Sequence, residues 1–327
     1  MFSYLRTGLC ALSFLPFPAL ATPPSTDPQY VILSFDGASF VEQWERSRSL
    51  GRKTGARFTY FLSCVYLLTR DTRDEYKAPG MKAGRSNVGF AASPEDVRAR
   101  LGQIWTARAE GHEIASHGCG HFDGKAWSKK DWMAEFDQFT TILEGAWRIN
   151  DLEGEPEGWN AFATGEIKGF RAPYLSTGPG LYDALAADGF DYDASTVSRG
   201  PARPAKDGWI TRFALPLIPE GPSAKRLIAM DYNLYVRHSG GKEAPDQAGA
   251  FTDRAFEAFM AAFEREYGGE RVPLQVGFHF TLMNDGAYWK ALERFAEEVC
   301  VRDDVRCVSY REYLQEKRRE TGAGVGG

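Results

Sequence analysis

The 327-residue sequence predicts a single α/β domain built on a largely parallel sheet. Short apolar, β-branched runs alternate with helical segments from Gln29 almost to the end of the chain. Repeated strand–helix units form a parallel sheet, which is either open and doubly wound or closed into a barrel. A chain of about 300 residues suits one α/β barrel domain. We place this domain at residues 29–315.

Both ends of the chain are expected to lie outside the domain. Arg6 is the only charge near the N-terminus, an apolar run covers residues 9–20, and small residues follow it. This pattern is typical of a secretory signal peptide over residues 1–21, and residues 22–28 then form a short linker. The protein is therefore expected to be exported, either to the periplasm or to the exterior. Residues 316–327, which end in TGAGVGG, are predicted to be a disordered tail.

Apolar periodicity and capping residues predict the positions of the strands and helices. Residues 30–35 form an apolar, β-branched run, as expected of a strand covered on both faces. Ser93 and Pro94 begin a helix that Gly111 ends, and Ser128 with Asp131 begins another. Strands are predicted at 30–35, 58–62, 113–116, 168–171, 190–193, 227–231, 274–278 and 305–308. Helices are predicted at 40–54, 93–111, 128–150, 180–188, 251–267 and 287–301, and long loops at 69–92 and 200–225.

Composition restricts the possible partners and the compartment. The formal net charge is −5, and no basic cluster indicates a nucleic-acid partner. Cys10 lies in the predicted signal peptide, which leaves Cys64, Cys119, Cys300 and Cys307. In an oxidising compartment these four cysteines have three possible pairings. Cys300 and Cys307 are close in sequence, and Cys64 and Cys119 both follow predicted strands, but free buried thiols are an equal alternative.

Polar residues follow several predicted strands at their carboxyl ends, which is where parallel α/β folds place their sites. The residues of interest at these strand ends are Asp36, His117, His121, Arg171 and His279. Asp231 ends another predicted strand and is expected to line the groove that these residues form.

Each of these residues has a functional and a purely structural interpretation. His117 and His121 are four positions apart, so both imidazoles can face one point and, with a carboxylate and water, bind a zinc-like ion. Alternatively they are solvated or capping histidines. Arg171 can orient a carboxylate or lie at the surface. His279 can act as a general acid or fill the core between two phenylalanines.

Together these motifs resemble the polysaccharide deacetylase (NodB-homology) family, with spacing similar to that of its chitin-deacetylase-like members. The resemblance covers residues 29–314 and is carried by GHEIASHGCGH, GFRAPY, GFDYDAST and LQVGFHF. It implies a distorted (β/α) barrel of seven or eight strands. It also implies one divalent metal ion at His117 and His121, with zinc expected and cobalt or nickel as alternatives.

The resemblance further implies roles and a substrate. Asp36 would be the catalytic base, Arg171 would orient it, and the Tyr174 N–H would stabilise the oxyanion. Asp193 would be a supporting acid, and His279 would protonate the leaving amine. The substrate would be the N-acetyl groups of an extracytoplasmic amino-sugar polymer, such as chitin, peptidoglycan or poly-N-acetylglucosamine.

The first motif departs from the family pattern. The family has two adjacent aspartates, a base and then a metal ligand, whereas this chain has Asp36 followed by Gly37. Asp36 can therefore remain the base beside an incomplete metal site, or it can itself bind the metal. A third possibility is a carbohydrate-binding protein that has lost catalysis. A hydrolase of a non-sugar amide or ester is a further alternative.

Overall fold

The computed structural model of the protein describes residues 27–323, so the predicted signal peptide lies outside the described residues. Within this range the strands are β1 (Gln29–Gly37), β2 (Thr59–Leu62), β3 (Glu113–Ser116), β4 (Gly169–Phe170), β5 (Tyr192–Ser198), β6 (Ala205–Asp207), β7 (Ile210–Glu220), β8 (Lys225–Ile228), β9 (Leu274–His279) and β10 (Val305–Cys307). The α-helices are α1 (Val41–Thr54), α2 (Pro94–Ala109), α3 (Lys129–Ile149), α4 (Trp159–Gly165), α5 (Pro179–Asp188), α6 (Asp231–Ser239), α7 (Ala248–Tyr267), α8 (Met283–Val299) and α9 (Tyr310–Ala323).

The sheet curls into a distorted barrel, as the resemblance implied. Parallel pairing runs from β1 through β2, β3, β4 and β5 to β7, and β9 pairs with the other side of β1. The two ends of this curl meet at a seam made of two kinds of contact. Met230 forms a single β-bridge with Gly277. The Gln275 side chain donates a hydrogen bond to the Ala214 carbonyl at 3.0 Å. Since this seam lacks a full ladder, the barrel is closed unevenly. β6, β8 and β10 extend the sheet outside the ring.

β1 is the centre of the fold. Every residue of β1 except Gly37 is buried, which confirms the prediction of a strand covered on both faces. Phe35 in β1 has ring contacts at centroid distances of 5.1–6.1 Å with five other aromatic rings. These rings belong to Phe58, Tyr60, Phe278, Phe280 and Trp289.

The helix starts predicted from the capping residues Ser93 and Ser128 are confirmed. The Ser93 hydroxyl accepts a hydrogen bond from the Asp96 N–H, with Pro94 as the first residue of α2. At α3, Ser128 and Asp131 satisfy each other's backbone N–H groups in a capping box. These bonds satisfy donors that a helix N-terminus would otherwise leave without partners.

Two predictions at the later strands are wrong. The predicted loop 200–225 contains β6 and the long strand β7, because prolines within the run obscured a strand pattern. Pro216 cannot donate to a ladder, but its carbonyl still accepts from the Ala229 N–H at 2.9 Å. The strand predicted at 227–231 ends at Ile228, and Asp231 is instead the first residue of α6.

The predicted disordered tail from residue 316 is also wrong as far as the structure describes it. α9 continues to Ala323, because its buried face docks on the sheet through Tyr313 and Leu314. The Tyr30 hydroxyl additionally donates to Glu316 at 2.8 Å. Residues 324–327 lie outside the described residues.

The four described cysteines form the pairs Cys64–Cys119 and Cys300–Cys307, one of the three possible connectivities. The alternative of free thiols is therefore wrong in this structure. Between residues 27 and 323, no helix has the length and apolar character needed to cross a membrane.

The aromatic cluster around Phe35 generates a stability prediction. Phe35→Ala should lower the free energy of unfolding by about 3–5 kcal/mol, since it removes a fully buried ring and leaves a cavity. Trp209→Ala is the matched control, because Trp209 is 63% exposed and its loss should change stability by no more than about 0.5 kcal/mol. Denaturant unfolding with the disulfides intact measures both. Equal losses in the two variants would contradict the packing described above.

Candidate functional site

Strand register brings the predicted site residues to one edge of the barrel. Asp36, the penultimate residue of β1, lies opposite His279, the last residue of β9. His117 follows β3 directly, and Arg171 follows β4. These strands are parallel neighbours around the curl, so their carboxyl ends open on the same groove.

Asp36 and Arg171 form a buried ion pair. One terminal nitrogen of Arg171 donates to Asp36 Oδ1 at 2.7 Å and to the Ser34 hydroxyl at 2.9 Å. The Arg171 Nε donates to the Ala194 carbonyl at 3.0 Å, and the other terminal nitrogen donates to the Tyr310 hydroxyl at 2.8 Å. Arg171 is thus fixed by four partners and can hold Asp36 in one orientation.

Electrostatics keep Asp36 ionised. Burial alone would raise the pKa of Asp36, but the Arg171 guanidinium, with smaller contributions from His117 and His279, outweighs burial and lowers the pKa below its ordinary value. At neutral pH the groove therefore contains a buried carboxylate able to accept a proton.

His117 is neutral and its tautomer is defined. Its Nδ1 lies 2.7 Å from the Arg171 carbonyl oxygen, which can only accept, so Nδ1 carries the proton and Nε2 has the free lone pair. Burial lowers the pKa of His117 to about 3, although Asp36 opposes the shift. Metal-binding histidines commonly have this arrangement, with one ring nitrogen held by a carbonyl.

His121 lies beside His117, with ring centroids 5.1 Å apart. Its backbone has φ +56°, a left-handed conformation that is costly for a residue other than glycine. Its Nδ1 is buried and has no hydrogen-bond partner. Burial is also the main cause that lowers the pKa of His121, so this imidazole is neutral at pH 7.

The residues present fit a metal ion only in part. Two neutral imidazoles supply nitrogen donors, and the unpartnered Nδ1 of His121 is a buried polar atom for which a ligand would account. However, nowhere in residues 27–323 do three His, Cys, Asp or Glu side chains surround one point as a metal site. Asp36 is nearby but bonded to Arg171, and Gly37 has no donor side chain. The described residues therefore offer two imidazole nitrogens, and no third ligand side chain, to a metal ion.

His279, the register neighbour of Asp36 on β9, is paired with Asp231. Its Nδ1 lies 2.6 Å from Asp231 Oδ1, and its backbone N–H donates to Asp231 Oδ2 at 2.7 Å. Burial lowers the pKa of His279, but the Asp231 carboxylate has the larger net effect, and the pKa rises to about 8. The sequence indicates that Asp231 lines the groove but not that it pairs with His279, because the pairing depends on α6 beginning at Asp231.

Tyr174 lies next to His121. It belongs to the short helical turn Pro173–Leu175, and its φ is +57°. Its ring centroid is 4.6 Å from that of His121, and the residue is 59% exposed. Tyr174 therefore forms one wall of the groove.

Asp193 is in the layer beneath Arg171. It accepts a hydrogen bond from the Ser195 hydroxyl, which itself accepts from the Ala172 N–H at 2.8 Å. Burial raises the pKa of Asp193 to about 6, with the Ser195 hydrogen bond opposing the shift. Asp193 thus supports the chain directly after Arg171, without lying beside His279.

Comparisons with known proteins show the fold. No family model matches the chain, and a search of curated proteins finds no relative. A solved structure from Mycobacterium smegmatis, assigned as a polysaccharide deacetylase, has a TM-score of 0.55 and 17% identity over 93% of this chain and 96% of its own.

Two further structures are similar. One from Pseudomonas aeruginosa PAO1, also assigned as a polysaccharide deacetylase, has a TM-score of 0.52 and 15% identity over 89% of this chain and 91% of its own. The allantoinase PuuE has a TM-score of 0.52 and 14% identity over 92% of this chain and 97% of its own. The chain therefore has the fold of these polysaccharide deacetylases, a fold that it also shares with an allantoinase.

Proposed function

We propose that this protein is a member of the polysaccharide deacetylase (NodB-homology) family and hydrolyses N-acetyl groups of an amino-sugar polymer outside the cytoplasm. The observation that carries the proposal is the pairing of a base and an acid across one groove. Asp36, held ionised by Arg171, and His279, held protonated by Asp231, stand on adjacent strands in direct register. Amide hydrolysis needs both functions, one for water and one for the departing amine.

Asp36 is assigned as the general base. Arg171 engages its Oδ1, and we assign the second carboxylate oxygen to accept a proton from the attacking water. The lowered pKa of Asp36 keeps this oxygen unprotonated at neutral pH.

His279 is assigned as the general acid. With a pKa of about 8 it carries a proton at neutral pH, and Asp231 holds its Nδ1, so Nε2 is the atom that donates to the amine. Asp36 and His279 therefore begin the reaction in opposite protonation states, and each is able to perform its step.

The remaining groups would stabilise the reacting carbonyl. We assign the Tyr174 N–H to the oxyanion, as the resemblance implies. His117 and His121 would hold a divalent ion, zinc or else cobalt or nickel, and such an ion when bound polarises the carbonyl and acidifies water. The exposed ring of Tyr174 offers an apolar face to a sugar ring.

Two disulfides support export of the protein. Disulfides form and persist in the periplasm or outside the cell, and they are rare in reducing compartments. The pairs Cys64–Cys119 and Cys300–Cys307 therefore agree with the predicted signal peptide over residues 1–21. An extracytoplasmic polymer is the matching substrate class.

A second candidate function is hydrolysis of a small, non-sugar amide. It is favoured by the allantoinase, whose fold is as similar to this chain as that of the Pseudomonas aeruginosa protein. Binding of carbohydrate without catalysis is a further candidate, because Gly37 leaves the metal site without the family's carboxylate.

Acetate release separates these candidates. The metal-free protein should release acetate from N-acetylated amino-sugar oligosaccharides when zinc, cobalt or nickel is added. Asp36→Asn should lower kcat by about 10²–10⁴-fold, as expected for a lost general base. Asp253→Asn is the matched control, because it makes the same chemical change on an exposed carboxylate of α7 and should leave kcat unchanged.

The alternative outcomes are equally specific. Oligosaccharide binding without acetate release under any of the three metals would refute the hydrolase and leave a carbohydrate-binding protein. Turnover of small amides or acyl esters, but not of oligosaccharides, would favour the second candidate.

The acid–base pair predicts a defined pH profile. Because the pKa of His279 is raised to about 8, the active protonated form is present below that pH, and kcat should fall as the pH rises through 8. Asp231→Asn removes the charge that raises this pKa, so the alkaline limb should move to lower pH, toward the ordinary histidine value of 6.5. Asp253→Asn should leave the limb in place. An unmoved limb in Asp231→Asn would exclude His279 as the acid.

Substitutions of Gly37 are predicted to change stability and metal affinity separately. A side chain there has space, since the nearest atom to a Cβ would be in the Tyr66 ring at 3.9 Å. However, φ is +88°, so Gly37→Ala and Gly37→Asp should each lose about 1–2 kcal/mol of stability. Only Gly37→Asp adds a carboxylate, so it should bind zinc more tightly than Gly37→Ala in calorimetric titrations. Equal affinities would show that a carboxylate at this position does not reach the ion.

A further inference from the structure

The turn from His117 to His121 is held by contacts that the resemblance does not account for. The three residues between the histidines are Gly118, Cys119 and Gly120, and the middle one is bonded to Cys64 in a disulfide. The Cys64 backbone N–H also donates to the Gly118 carbonyl at 3.1 Å. The turn is thus attached covalently, and by one backbone hydrogen bond, to the segment that follows β2.

A buried carboxylate holds the same turn from the opposite direction. Glu135, on α3, is 2% exposed, and its Oε1 accepts from the Cys119 N–H at 2.7 Å. The Tyr76 hydroxyl donates to both carboxylate oxygens, at 3.1 and 2.9 Å. The central amide of the turn, that of Cys119, therefore points at a buried carboxylate that Tyr76 holds in place.

The two glycines permit this close approach. A Cβ at Gly118 would lie 3.1 Å from the Glu135 carboxylate, and a Cβ at Gly120 would lie 2.6 Å from the Tyr76 ring. Gly118 also has φ +68°, which a residue with a side chain rarely adopts. The His-Gly-Cys-Gly-His sequence thus fits the carboxylate and the disulfide together.

The far end of the turn carries the strained residue. His121 has φ +56°, and the Asn87 side chain donates to its carbonyl at 3.1 Å. The Asn87 N–H donates to the Gly120 carbonyl at 2.9 Å. A costly backbone conformation persists only where the surroundings enforce it. The contacts to Cys64, Glu135 and Asn87 supply that enforcement.

We propose that Glu135 and the Cys64–Cys119 disulfide are positioning groups that hold the imidazole of His121 beside that of His117, so that the pair can bind a divalent cation. Neither group touches the ion or the substrate. They act through the backbone of the turn, whose conformation determines where the His121 ring lies. The proposal rests on the metal site assigned under the proposed function, and it adds the residues that set its affinity.

The test measures cation affinity in the protein without its predicted signal peptide, residues 22–327, and in matched variants. Co²⁺ is titrated into metal-free protein, followed by visible absorption, and Zn²⁺ affinity is then obtained by competition. Glu135→Gln keeps the shape of the side chain but places an amide against a backbone donor. It should therefore weaken Co²⁺ binding by about 10–100-fold, which is the range seen for residues that orient metal ligands. The double variant Cys64→Ala/Cys119→Ala should show a loss in the same range.

The second disulfide provides the control. Cys300→Ala/Cys307→Ala also removes one cross-link, but that bond joins the end of α8 to β10, remote from the turn. The Co²⁺ affinity of this double variant should stay within about threefold of the wild-type value. This change is far smaller than the loss expected when a positioning group is removed. Circular dichroism confirms that each variant is folded at the temperature of the titration. Wild-type affinity in both Glu135→Gln and Cys64→Ala/Cys119→Ala would overturn the proposal.

A second measurement separates this inference from the proposed function. If the wild-type protein binds no Co²⁺ or Zn²⁺, the metal part of the proposed function fails, and positioning is then tested by amide hydrogen exchange alone. The peptide containing residues 117–121 should exchange faster in Glu135→Gln and Cys64→Ala/Cys119→Ala than in Cys300→Ala/Cys307→Ala. Equal exchange in all three variants would refute the role of Glu135 and of the Cys64–Cys119 bond.

Discussion

The buried ion pair between Asp36 and Arg171 connects the stability of the fold to the chemistry of the site. A fully buried guanidinium is tolerated only when its donors are satisfied, and Arg171 meets this need with partners from β1, β5 and α9. Removing one partner of such a pair typically costs about 3–5 kcal/mol, because the other charge is left buried and unpaired. The same contacts therefore join the end of β4 to β1, β5 and α9 and hold the carboxylate that we assign as the base.

Two titratable groups in the groove have different surroundings, which shift their pKa values in opposite directions. Asp36 faces a guanidinium, which lowers its pKa, whereas His279 faces the Asp231 carboxylate, which raises its pKa to about 8. Groups whose environments move their pKa values apart can serve as base and acid at one pH. Because Asp36 and His279 are register partners in adjacent strands, the barrel itself sets the spacing between them.

The side of the groove that carries His117 and His121 is held differently. His117 is fixed by a hydrogen bond to the backbone carbonyl of Arg171, so the residue that pairs with Asp36 also orients the first imidazole. His121 has no such bond, and its position depends on the turn that leads to it. With Gly37 in place of a ligand, two nitrogens would have to hold the proposed ion, so the rigidity of that turn would matter more than in a site with a full ligand set.

The sequence by itself determined the features that depend on local patterns. The alternation of strands and helices, the caps at Ser93 and Ser128, and the polar residues at strand ends all follow from periodicity and side-chain chemistry. The position of His279 at a strand end was predictable for the same reason. So was the absence of a ligand at Gly37, since glycine has no donor side chain in any conformation.

Only the tertiary structure decided which distant groups meet. The pairing of Asp231 with His279, the choice of Cys64–Cys119 among three connectivities, and the contact of Glu135 with the histidine turn each join segments far apart in the chain. The long strand β7 was also hidden, because its prolines oppose a strand locally while its neighbours on both sides stabilise it. Such contacts depend on how the sheet curls and how the helices pack on it, and these are properties of the whole chain that no local sequence pattern encodes.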